Sequence, residues 1–213
     1  KRNAQDGISA LGIADGAMNE VSSILQRMRE LAVESANDTL TTTEQAYTQT
    51  EFAALRTEIG RIVTATQYNT QTLLDGGGFG AAGAQTLQVG PNAGDTVTVT
   101  IAKVDTATLG IGASTVASTA GASAAITTID AAINTVNSGR SGVGALVNRL
   151  EHAINNLINL EHNTQAAESV IRDTDFAVET AQFTKNSILV QSATAMTAQA
   201  NLVPQAVLGL LGR

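Results

Sequence analysis

Cysteine and tryptophan are absent from the 213 residues, so no disulfide or thiolate metal site can form and no indole anchors a core. A chain without cysteine is compatible with an extracellular life. Aromatic residues make up only 3% of the chain. Ala, Leu, Ile and Val must therefore do the burying, which suits long thin helical packing better than a thick globular core. Cations are also scarce: Lys and Arg number 12 against 19 Asp and Glu, for a formal charge of −7. Nucleic acid is excluded as a partner on that ground, because binding a phosphate backbone needs Lys and Arg to displace counterions. No run approaches about 18 uninterrupted apolar residues, so membrane insertion is not expected. The start, Lys1-Arg2-Asn3-Ala4, has neither an initiator Met nor a signal-peptide apolar core. It reads as mid-sequence, and the chain is expected to be a fragment lacking its N-terminus. The length leaves room for one large or two small domains.

What the chain does have is apolar periodicity, most clearly in its last third. Ile126, Ile129, Ile133, Val136, Val143, Val147, Leu150, Ile154 and Leu157 follow a three-four alternation. One register, Ile129, Val136, Val143, Leu150 and Leu157, recurs at every seventh residue. That is the signature of a helix packed along a narrow seam against other helices. The seam fades through the polar run 161–168. It restarts as Leu189, Ala193, Met196, Ala200, Val203, Val207 and Leu210, and so runs almost to the last residue. Such an end asks for a partner.

Toward the N-terminus, Leu11, Ala14, Met18, Val21, Ile24, Leu25, Met28, Leu31 and Ala32 form a stripe at helical period over 7–35. Thr41 and Glu44 have the spacing of a capping box and open a second helix with Thr48, Phe52, Leu55, Ile59, Ile62 and Thr66 inward, fraying near Asn69-Thr70. Two antiparallel helices joined by a short loop follow from this. Asp75-Gly76-Gly77-Gly78 breaks the helix and Gly80 to Gly83 keeps the chain loose. Residues 86–89 and 95–101 read as a β-hairpin, with Val97, Val99 and Ile101 on one face and Thr96, Thr98 and Thr100 on the other. Residues 106–123 are mainly Ala, Ser, Thr and Gly, a connector with little to bury, before a long helix begins near Ala124. Gly139, Gly142 and Gly144 cost that helix up to about 1 kcal/mol each, which a bend, a close approach or a later start would explain. Pro204 is expected to kink or end the last helix. The fold class is mainly α: a long antiparallel helical bundle or coiled coil with a small β-hairpin.

Several blocks resemble bacterial flagellin, the flagellar filament subunit. They are Arg2-Asn3-Ala4-Gln5-Asp6-Gly7-Ile8-Ser9, Leu25-Gln26-Arg27-Met28-Arg29-Glu30-Leu31-Ala32 and Asn148-Arg149-Leu150-Glu151-His152-Ala153-Ile154-Asn155-Asn156-Leu157. Toward the C-terminus they continue as Ile171-Arg172-Asp173-Thr174-Asp175 and Gln199-Ala200-Asn201-Leu202-Val203-Pro204-Gln205. The match spans nearly everything except 76–123, where family members usually carry large variable outer domains. The resemblance is thus to a short form with a reduced outer domain. It divides the chain into an N-terminal helix pair (1–75), a hairpin and short variable connector (76–123), a C-terminal core helix (124–169) and a C-terminal filament-core segment (170–213).

The resemblance implies a secreted, extracellular subunit that polymerises into a helical filament for motility, its two ends pairing as coiled coils in the inner tube. Leu189, Met196, Val203, Val207, Leu208, Leu210 and Leu211 are then the residues of subunit assembly and export-chaperone binding. That end is expected to be poorly ordered in a free subunit and helical on assembly, and this length of chain to stay monomeric. Filament cap and junction proteins are further implied partners. The helix around Arg27 matches the segment read by the host Toll-like receptor for flagellin, with Arg27, Leu31 and Glu51 at the key positions. Cytosolic innate sensors are implied to read the Leu-rich tail. The family's Gln at the position of Glu34 is an acid here, and Gly209 and Gly212 depart mildly from the usual ending.

No catalytic, cofactor or metal constellation emerges. His152 and His162 each follow a Glu, but no HExxH spacing exists, and ten residues of helix leave them about 80° apart. Asp173 and Asp175 flank Thr174 without a nucleophile or acid partner, which favours a structural polar cluster at a break in the seam. Gly76-Gly77-Gly78-Phe79-Gly80 lacks the Lys-Ser/Thr of a phosphate loop. An enzyme is the least favoured class. The alternatives to a filament subunit are a flagellar hook–filament junction protein and a cell-surface ligand-binding module.

Overall fold

The computed structural model describes residues 1–76 and 85–212, with side chains described outside 202–211. The loose segment expected at Gly80 to Gly83, with Gly77, Gly78 and Phe79, lies outside the described residues. Eight elements follow in order: α1 (Arg2–Ser35), α2 (Thr42–Ala65), β1 (Gln67–Tyr68), β2 (Gln71–Thr72), β3 (Gln85–Gln88), β4 (Thr96–Val99), α3 (Thr119–Arg172) and α4 (Phe176–Leu211). The chain divides into two compact units, residues 1–159 and 160–213. The mainly α fold is the one the periodicity predicts, and of its two small antiparallel sheets β3–β4 is the expected hairpin.

The first unit is built on the inner stripe of α1. Ala10, Leu11, Ala14, Met18, Val21, Leu25, Met28, Leu31 and Ala32 are buried there, while Ile24 is only half-buried. α2 contributes Phe52, Ile59 and Val63, and α3 contributes Ile129, Val136, Val143 and Leu150. The heptad register of α3 is therefore buried at four successive positions, and Leu157, the fifth, is half-buried. Two ion pairs set α3 antiparallel to α1: Arg140 Nε to Asp15 Oδ1 at 2.9 Å and Arg29 Nε to Asp130 Oδ1 at 2.6 Å. The capping box forms, with Glu44 N donating to Thr41 Oγ1 and Thr41 N donating to Glu44 Oε2.

The hairpin β3–β4 pairs Leu87 with Val97 and Gln85 with Val99, and Val97, Val99 and Ile101 turn inward as the alternation predicts. It docks on α1 where Gly7 leaves room: a Cβ there would overlap Leu87 Cδ1 and lie 3.2 Å from Leu150 Cδ1. Asn3 Nδ2 donates to Gln88 O beside it. A second, two-residue hairpin, β1–β2, occupies the stretch read as helix fraying. Its turn residues Asn69 and Thr70 have φ of 49° and 65°, the positive values that close a hairpin of this length.

The connector reading needs correction. Val104, Leu109, Ile111 and Val116 are buried, so residues 102–118 close one side of the core. Two polar side chains of α2 hold this strap. Gln49 Oε1 accepts from Val116 N at 2.6 Å and Thr115 Oγ1 at 3.0 Å, and Arg56 Nη1 donates to Gly112 O at 2.8 Å. Buried Gln45 donates to Ser35 O and Thr119 Oγ1. α3 then begins at Thr119, ahead of Ala124, and passes unbroken through Gly139, Gly142 and Gly144. Gly139 is a close-approach site, where a Cβ would stand 3.1 Å from Ala102 Cβ and 3.4 Å from Met18 Sδ. Gly142 and Gly144 face open space.

Candidate functional site

Two surfaces carry the residues singled out from the sequence. The first is the 160–213 unit. Helix α3 ends at Arg172, and Asp175 starts α4 by accepting from Ala177 N at 2.9 Å and Val178 N at 3.3 Å. Ser169 Oγ donates to Asp173 Oδ2. The two aspartates thus terminate and restart helix, and the Ser169 hydroxyl is committed to a carboxylate. Neither arrangement is a nucleophile with its base. His152 and His162 are exposed, and among the described residues no group of three or more His, Asp or Glu could hold a metal ion.

α4 is helical to Leu211, so Pro204 does not terminate it. The segment is a continuous helix here, its i→i−4 hydrogen bonds closed within the segment. Its apolar side chains have no such internal recourse. Among the described residues of α4 only Ser187 is half-buried and the rest are exposed. Phe176 is 85% exposed, Phe183 73% and Met196 71%, with Leu189 and Val190 also open to solvent. At about 100° per residue, Val178, Leu189, Ala193, Met196 and Ala200 fall on one strip about 60° wide. Phe176, Phe183 and Val190, seven apart, form a second strip roughly 100–140° away, and Ile188 lies about 100° to the other side. The outermost of these apolar residues stand about 240° apart around the helix, with Glu179, Gln182, Lys185, Asn186 and Thr197 interleaved among them. Of the assembly residues named from the sequence, Leu189 and Met196 are thus placed in the open. The side chains of Val203, Val207, Leu208, Leu210 and Leu211 lie outside those described.

The second surface is the α1–α2 face. Arg27 Nη2 meets Glu51 Oε1 at 2.8 Å and Nη1 meets Glu30 Oε2 at 3.0 Å. The Glu51 hydrogen bond first, then that of Glu30, hold the Arg27 guanidinium above its ordinary pKa. The structure brings together Arg27 and Glu51, which the sequence separates by a loop. Leu31 is a correction: it is 1% exposed, inside the core, because it lies on the inner stripe of α1 with Met28 and Ala32. It is not an apolar contact beside Arg27. The strap-holding residues Gln49 and Arg56, and Gln45, which bonds Ser35 and Thr119, escaped the sequence reading, since polar residues on an amphipathic helix look like solvent face.

Comparison with known proteins agrees with this architecture. Residues 1–78 match the model of the bacterial flagellin N-terminal helical region and residues 126–211 that of the C-terminal helical region. The chain is 49% identical over 212 residues to a flagellin of Halalkalibacterium halodurans, covering 99% of this chain and 76% of that protein. It is 41% identical to a flagellin of Bacillus subtilis, covering 99% of this chain and 79% of that one. It is 40% identical to the flagellar filament 31.3 kDa core protein of Treponema maltophilum, covering 99% and 78%. Among solved structures, the crystal structure of Bacillus cereus flagellin superposes with a TM-score of 0.66 at 32% identity, over 78% of this chain and 94% of that one. A putative flagellar hook-associated protein from Vibrio parahaemolyticus, at 18% identity and TM-score 0.63, covers 81% and 88% and shares the fold alone. The chain belongs to the bacterial flagellin family.

Proposed function

We infer that the chain is a structural subunit that polymerises into the bacterial flagellar filament, exported and extracellular, and that α4 is its assembly element. The observation that carries this is the circumferential spread of apolar side chains on α4. A single partner helix covers a strip, as in a two-stranded coiled coil, and leaves the remaining strips in water. A helix whose apolar strips are spread over about 240° has all of them covered only when it is contacted on several sides. Neighbours on several sides are what a polymer of identical subunits supplies and a simple pair does not. Electron microscopy of the natural full-length subunit tests the reading. Filaments are expected, and charged substitutions at Phe183 and Leu189 together should abolish them while residues 1–159 keep their fold. Filaments unaffected by both charges would reject α4 as the assembly element.

Finer partners rest on the family resemblance. The export chaperone is proposed to cover the apolar surface of α4 before assembly, and cap and junction proteins to meet the same kind of helical end. The Toll-like receptor for flagellin is proposed to contact Arg27 and Glu51 on the α1–α2 face, without Leu31. Arg27→Ala should then weaken receptor activation about tenfold, within the range of an interfacial Arg anchor. An unchanged dose–response would remove this face from the receptor site.

A further inference from the structure

We propose that Met196 is the one site of two-electron oxidation by peroxide in this chain, and that its conversion to the sulfoxide blocks assembly through α4. The inference rests on the reading of α4 as the assembly element. With no cysteine and no tryptophan, the three methionines are the soft, easily oxidised side chains of the sequence. Met18 and Met28 are fully buried on the inner stripe of α1, whereas Met196 is 71% exposed. Access therefore separates one thioether from the other two.

The chemistry closes without help from the protein. A sulfur lone pair of Met196 attacks one oxygen of hydrogen peroxide. The S–O bond forms as the O–O bond breaks, the transferred hydroxyl gives its proton to the departing hydroxide, and the second oxygen leaves as water. Sulfur loses two electrons and the peroxide gains them. The product carries a strongly polar oxygen at the edge of the strip that Met196 shares with Leu189, Ala193 and Ala200, with Ser192 and Gln199 on its polar flank. Turning that apolar side chain into a polar one opposes its burial against the apolar side chains of a neighbouring subunit. A subunit whose strip is already covered keeps its sulfur out of reach, so the free subunit is the vulnerable form.

The test treats the natural full-length subunit with hydrogen peroxide, maps added oxygen by peptide mass spectrometry, and measures polymerisation by sedimentation. One added oxygen on the peptide carrying Met196 is expected, with Met18 and Met28 unmodified. The oxidised subunit should need roughly tenfold more protein to polymerise. Methionine sulfoxide reductase should restore it, and the protein concentration at which a Met196→Leu subunit polymerises, whatever its value, should not change on peroxide treatment. Oxygen appearing first on Met18 or Met28, or unchanged polymerisation of the oxidised subunit, would overturn the proposal while leaving the assembly reading intact. Failure of the untreated subunit to polymerise would reject that reading, and the proposal with it.

Discussion

Gln49 and Gly7 show how much of this structure turns on single residues that bury little of themselves. The Gln49 side-chain carbonyl is the acceptor for Val116 N, a partly buried amide of the strap itself. Gln49→Ala should lower stability by about 1–2 kcal/mol through that orphaned amide. Gln49→Glu, which keeps the oxygen, should lower it less, both read from urea midpoints. Gly7 and Gly142 predict opposite signs for one substitution. Gly7→Ala should destabilise by about 1 kcal/mol because Leu87 must yield. Gly142→Ala, with open space around its Cβ, should stabilise by about 0.5–1 kcal/mol. Two melting curves decide it, and equal shifts would mean that the hairpin does not press on Gly7.

At the scale of elements, the two ends of α3 make the contrast. Leu150 is fully buried and Ile171 is 86% exposed, although both are large aliphatics on the same helix. Leu150→Ala should cost about 2–5 kcal/mol in the dissociated subunit, and Ile171→Ala close to nothing. A similar loss at both would show the 160–213 unit packed when alone. α2 adds a pH dependence. Thr41, through its backbone N–H first and its hydroxyl second, holds the exposed Glu44 carboxyl below its usual pKa. A depressed folded pKa means that the capping contribution is present above the ordinary glutamate range and is lost as pH falls through the folded value. The stability gap between wild type and Glu44→Gln should thus be open at about pH 7 and closed by about pH 2.

The heptads of α3 and the capping box of α2 were legible from sequence because each is a fixed spacing. The β1–β2 hairpin was not, since Gln67, Tyr68, Gln71 and Thr72 show no apolar alternation and Asn69-Thr70 resembles a helix end. The strap was missed for a related reason. Val104, Leu109, Ile111 and Val116 keep no period, and the polar groups that hold them are on another helix. The spacing of Leu31 puts it on the buried stripe of α1, and only the family resemblance places it on the outer face beside Arg27.

The whole molecule is uneven in what it can satisfy internally. Residues 1–159 enclose a continuous core, braced by ion pairs and by the strap. Residues 160–213 are helical with described side chains almost wholly in water. An isolated helix is marginal in water however good its hydrogen bonds, so α4 should open readily until neighbours cover it. The most direct test is amide hydrogen exchange across α4 in the dissociated full-length subunit and in its filaments. The account predicts exchange within seconds to minutes in the dissociated state and strong protection in the filament, with α1 protected in both. Protection of α4 already equal to that of α1 in the dissociated subunit would contradict it.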